Sequence, residues 1–132
     1  MLDDYGSLSV RAYTAGGALP VANAVVRISG ADEENRFVAY SLITDEDGVT
    51  RTIELPTYSR ESSLTPDPET PPYATYDVEV FADGYVEKRI SGVPIFAGVY
   101  SLQPVSLLPY SREQLDLPGG STDATIPDSD LL

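Results

Sequence analysis

The 132-residue chain contains no cysteine, no histidine and no tryptophan. Without cysteine there is no disulfide, no thiolate nucleophile and no thiolate metal ligand. Without histidine there is no imidazole base titrating near neutrality, which excludes a Ser-His-Asp triad and most zinc sites. Basic residues are scarce: 8 Lys+Arg stand against 21 Asp+Glu, for a formal net charge of -13. A surface of that sign repels nucleic-acid phosphates and anionic lipid headgroups, and so argues against both as partners. It favours solubility, and attraction to cations or basic surfaces is the narrower reading. No apolar run approaches the roughly 20 residues needed to span a bilayer. The opening residues Met1-Leu2-Asp3-Asp4-Tyr5-Gly6 carry neither the basic nor the apolar segment of a secretory signal. The chain is therefore expected to be cytoplasmic as made, or else a mature or excised fragment.

What is present is a single globular domain's worth of chain, with 42% hydrophobic against 22% charged residues. Its dominant pattern alternates with period two. In Ser7-Leu8-Ser9-Val10-Arg11-Ala12-Tyr13 the even positions are apolar and 7, 9 and 11 polar, which reads as a half-buried strand. Further strands are expected over Ala24-Val25-Val26-Arg27-Ile28, from about 36 to 43, up to about Leu55, and over Tyr76-Asp77-Val78-Glu79-Val80. The later ones run from Tyr85 to near Ile90, over Val93-Pro94-Ile95-Phe96, and from Tyr100 to Leu108. Pro94 and Pro104 suit edge or bulge positions. No stretch carries a sustained 3.6-residue apolar period, so no long helix is expected. The fold class is all-β, a roughly seven-stranded two-sheet sandwich. Its inward set should include Leu8, Val10, Val26, Ile28, Ile53, Val78, Val80 and Val105.

Two segments break the pattern. The sandwich domain, residues 1–110, holds a proline-rich connection at 56–72 that is longer than ordinary loops. Its prolines bias it toward an extended, polyproline-II arm. Residues 111–132, with Gly119-Gly120 and scattered Asp, read as a flexible acidic tail.

Each candidate chemistry has a plainer rival. Asp45-Glu46-Asp47-Gly48 suggests a calcium loop, but Gly48 comes too early for one with helical flanks. A solvated hairpin turn, with Gly48 at positive φ, is the preferred reading. A carboxylate pair could serve glycoside hydrolysis, yet no pair stands out. Tyr58, Tyr73 and Tyr76 flank the proline-rich arm, so their rings could form a stacking face for a sugar or peptide. Alternatively they fill sandwich corners. The single lysine, Lys88, lies far from the first strand, which offers only Arg11, so an intramolecular lysine crosslink from that strand is not expected. An unpaired sheet edge offers a route to a homodimer. No cofactor and no metal site are expected.

Several segments occur in an order that resembles a known family. They are Gly6-Ser7-Leu8-Ser9-Val10, Pro20-Val21-Ala22-Asn23-Ala24-Val25-Val26, Thr44-Asp45-Glu46-Asp47-Gly48-Val49-Thr50 and Val80-Phe81-Ala82-Asp83-Gly84-Tyr85. Together they look like the transthyretin-like (prealbumin-like), carboxypeptidase-regulatory-like β-sandwich. Pro72-Tyr73-Ala74-Thr75-Tyr76-Asp77-Val78, Gly92-Val93-Pro94-Ile95-Phe96 and Gln103-Pro104-Val105 are similar to a bacterial version in Firmicutes proteins with peptidoglycan-binding or spore-cortex-lytic modules. The resemblance covers about residues 6–109. It implies an accessory module without chemistry of its own, which docks or spaces a protein or cell-wall partner. The hydroxyisourate-hydrolysing branch relies on histidines, and this chain has none. A glycan- or peptide-binding module using the proline/tyrosine-rich loop is the alternative, and a carboxylate-pair hydrolase the remote one.

Overall fold

The computed structural model describes residues 2–59 and 73–110. The proline-rich arm beyond Ser59 and the acidic tail from 111 lie outside the described residues.

Among the described residues eight strands form two four-stranded sheets: β1 (Asp4–Thr14), β2 (Leu19–Pro20), β3 (Val25–Gly30), β4 (Ala39–Ile43), β5 (Ile53–Thr57), β6 (Ala74–Phe81), β7 (Lys88–Ile95) and β8 (Tyr100–Ser106). One sheet is built on β1, which pairs antiparallel with β2 and β5 and parallel with β8. The other runs β4-β3-β6-β7, antiparallel throughout. Alternation puts Leu8, Val10, Val26, Ile28, Ile53, Val78, Val80 and Val105 between the sheets, each at most 4% exposed. Each such side chain contributes about 1.5–3 kcal/mol relative to exposure.

Strands begin and end at two poles. At the first, β1, β4, β6 and β8 begin and β3, β5 and β7 end; β8 ends at the opposite pole. Chain crossings between the sheets are fixed by buried threonines. The Thr44 hydroxyl donates to the Val21 carbonyl (2.8 Å) and accepts the Ala24 N–H (2.9 Å). Thr50 Oγ1 accepts the Val10 N–H (3.0 Å) on the other sheet. At the first pole Thr57 donates to the Ile95 carbonyl (2.7 Å) and accepts the Ala74 N–H (2.9 Å). Each buried hydroxyl thus satisfies backbone groups where the ladders stop.

These staples correct one expectation. The turn at Asp45–Gly48 forms, closed by the Gly48 N–H to the Asp45 carbonyl (2.9 Å) and the Asp45 N–H to the Val49 carbonyl (3.0 Å) with Gly48 at φ +78, but the strands it joins do not pair. It carries the chain from β4 in one sheet to β5 in the other. A side chain at 48 would also press on the Ala12 carbonyl, 2.5 Å from an added Cβ. Two boundaries also move. The strand expected from 36 begins at Ala39, because buried Asn35 holds a turn by accepting the Asp32 N–H and donating to the Thr75 carbonyl, both at 2.8 Å. The two segments expected on either side of Ser91-Gly92 are one strand, β7, with a bulge that sets Ser91 and Gly92 opposite Asp77.

Candidate functional site

The pole where the proline-rich arm departs collects exposed aromatic rings. Tyr5 lies on the outer face of β1 and is 55% exposed; Phe37, in the turn before β4, is 76% exposed. Phe96 follows β7 and is 41% exposed, with half-buried Tyr73 against it at a ring-centroid distance of 5.1 Å and 60° tilt. Gly6 lets the Phe96 backbone come this close, since a Cβ there would collide with the Phe96 carbonyl. Between β4 and β5 Tyr5 and Phe37 border a shallow depression of about 390 Å³, lined also by Val38, Ala39, Tyr40 and Pro56. Apolar rings, a shallow trough and backbone edges suit contact with another chain or a sugar.

Of the three tyrosines read as a stacking face, Tyr73 is half-buried and the other two are buried. Tyr58 is 4% exposed and Tyr76 fully buried, so neither offers a ring face to a ligand. The alternation already carried this signal for Tyr76, which shares its parity with Val78 and Val80 on β6. Its hydroxyl donates to the Pro56 carbonyl at 2.6 Å. Burial pushes its pKa up to about 12. The Tyr58 hydroxyl donates to Glu34 at 2.8 Å. Burial, with that carboxylate beside it, likewise raises Tyr58 to about 12. The same hydrogen bond holds the Glu34 carboxyl below its ordinary range. Sequence reasoning missed Tyr5, Phe37 and Phe96. Phe37 was hidden because the expected strand began at Arg36, which made its neighbours look like ladder positions.

The acidic residues near both poles serve backbone and hydroxyl donors. Asp3 accepts the Ser59 N–H (2.8 Å), and Asp32 accepts the Thr75 hydroxyl (2.9 Å). At the opposite pole Asp45 Oδ1 accepts the N–H groups of Asp47 (2.9 Å) and Val49 (3.0 Å), an Asx-type turn. Among the described residues no three His, Cys, Asp or Glu side chains gather closely enough to hold a metal ion.

These features define an all-β, two-sheet sandwich with an aromatic pole. The fold is similar to part of the Bacillus anthracis TIE protein, with a TM-score of 0.54 and 17% identity over 81% of this chain and 17% of that one. It is also similar to part of catechol 1,2-dioxygenase from Acinetobacter sp. ADP1, with a TM-score of 0.55 and 15% identity over 82% of this chain and 53% of the enzyme. For catechol 1,2-dioxygenase from Pseudomonas arvilla C-1 the TM-score is 0.53, with 12% identity over 92% of this chain and 57% of the enzyme. At such identities the likeness is one of fold alone. The chain spans between 17% and 57% of the length of these proteins. No family model and no curated protein matches the sequence.

Proposed function

We propose that this chain is a non-catalytic accessory sandwich that mediates association with a protein or cell-wall partner, using the aromatic pole as its contact surface. The observation that carries the reading is the pair Tyr5 and Phe37, 55% and 76% exposed, on one trough with Tyr40, and Phe96, 41% exposed, at the same pole after β7. Isolated exposed apolar residues are ordinary, but exposed rings gathered along one depression and at one pole are an interaction feature. The resemblance to wall-associated accessory sandwiches agrees with this role. Absence of histidine and cysteine from the whole chain removes the usual nucleophile–base pairs.

Glycan binding is the second reading, favoured by Tyr73 packed at a tilt beside Phe96. The test is co-sedimentation of the full chain with purified peptidoglycan sacculi, run beside thermal shift with muropeptides and oligosaccharides. Wild type should sediment or shift, and a Phe37→Ser/Phe96→Ser variant should lose most of the effect while keeping its melting temperature. Equal behaviour of wild type and variant would remove the aromatic pole from the proposal.

A further inference from the structure

Besides the two-residue β2, the sheets among the described residues are bordered by β5, β8, β7 and β4, and the first three of these carry an outward proline. In an antiparallel pair, successive residues alternately point their backbone groups toward and away from the partner. On β5 the outward residues are Glu54 and Pro56, since Ser7 and Tyr5 opposite them bond Val99 and Gly98 on the far side. Pro56 has no N–H, and its carbonyl is taken by Tyr76. On β8 the Leu107 N–H bonds the Tyr13 carbonyl, which turns Pro104 outward. On β7 the ladder parity turns Pro94 outward, just past the bulge. Outward proline and bulges are devices that block strand addition.

β4 has neither proline, charge nor bulge. Bonds from the Thr44 N–H to Ala24 (3.0 Å) and from the Gly30 N–H to Val38 (3.1 Å) place even positions against β3. The N–H and C=O groups of Ala39, Ser41 and Ile43 therefore point outward, with no partner among the described residues. All three side chains are exposed as well. The trough lined by Phe37, Tyr40 and Pro56 runs alongside, ready for side chains of an added strand. Arg27, in register with Ser41, sits over Phe81 at 5.8 Å, on the side away from β4. Glu54 is exposed on neighbouring β5.

We propose that β4 is a strand-addition edge for an extended peptide segment of a partner protein, with alternating apolar and Lys or Arg residues. Charge decides between occupants. A second copy would bring another -13 against this -13, whereas a cationic strand is attracted. Backbone bonds to β4 would supply affinity, and the trough would select alternate side chains. The proposal rests on the association reading and specifies its partner.

The test uses the 15N-labelled full chain at low salt, with synthetic ten-residue peptides alternating Lys/Val or Glu/Val at millimolar concentration. The Lys/Val peptide should shift the Ala39, Ser41 and Ile43 amides and slow their exchange. Ser41→Pro, which removes an N–H the fold does not use, and Ile43→Lys should each weaken that binding at least tenfold; either variant suffices if the other fails to fold. The Glu/Val peptide should leave those amides unchanged. No response to Lys/Val, a response mapped away from β4, or an equal response to Glu/Val overturns the proposal. Exchange protection at these amides in the free monomer, or its appearance on concentration alone, would instead name the chain itself or a second copy as occupant. If Phe37→Ser abolishes partner association while Ser41→Pro preserves it, strand addition falls and the association reading stands.

Discussion

β4 and β5 lie side by side on one flank of the sandwich, and the chain treats them in opposite ways. β5 ends its outward row with Pro56, and two tyrosine hydroxyls from the facing sheet reach its outward carbonyls: Tyr76 at 2.6 Å to Pro56 and Tyr40 at 3.5 Å to Glu54. The outward row of β4 has no partner among the described residues. The difference shows that edge protection here is assigned strand by strand, and that part of it comes from buried side chains rather than from the edge itself.

Breaking the closed edge should have the largest effect. Tyr76→Ala removes both a core ring and the cap on Pro56, and is expected to cost about 3–5 kcal/mol in urea unfolding. Tyr76→Phe keeps the ring and leaves the Pro56 carbonyl without its donor, a loss of about 1 kcal/mol. A cost as large as that of the alanine variant would mean the hydroxyl, not the ring, dominates.

Alkaline pH probes the same group. Tyr58 and Tyr76 titrate near 12 in the fold against 10.0 ordinarily, so the unfolded chain releases these protons first. Their contribution is intact below pH 10 and declines as pH rises toward 12. Urea midpoints measured across that range should fall, less steeply in Tyr76→Phe; a midpoint independent of pH would contradict the buried placement of both hydroxyls.

The smallest effect should come from Pro56→Ala, which gives β5 an outward N–H like those of β4. Stability should change by no more than about 0.5 kcal/mol. The new amide at 56 should nevertheless exchange rapidly, matching Ser41 rather than its inward neighbour Leu55. Slow exchange at 56 would show that something besides proline covers that edge.

Much of this fold was legible from alternation. Val78 and Val80 must share a face whatever their partner strand is, so the inward set followed from parity alone. The crossing at Asp45–Gly48 was not, because an acidic turn ending in glycine looks the same whether its flanking strands pair or part. What separates the cases is Thr44 and Thr50, whose hydroxyls bond different sheets, and a threonine's partner is a long-range fact. Burial was half legible among the tyrosines. Parity on β6 places Tyr76 inward, whereas the burial of Tyr58 and the exposure of Phe37 depend on the turn held by Asn35 and the loop contact with Glu34, which are long-range facts.

One arrangement in the fold bears on load. β1 begins at the aromatic pole, and β8, the last strand, runs parallel beside it from Ser7↔Tyr100 to Tyr13↔Ser106. The two ends of the described chain therefore leave from opposite poles. Tension applied through them pulls β1 and β8 past each other along their length, so their rungs share the force and must fail together instead of peeling one by one. Pulling single molecules by their ends should give a higher rupture force than pulling across β3 and β4, whose antiparallel pairing would open like a zip. A domain strung between two partners would thus behave as a stiff link.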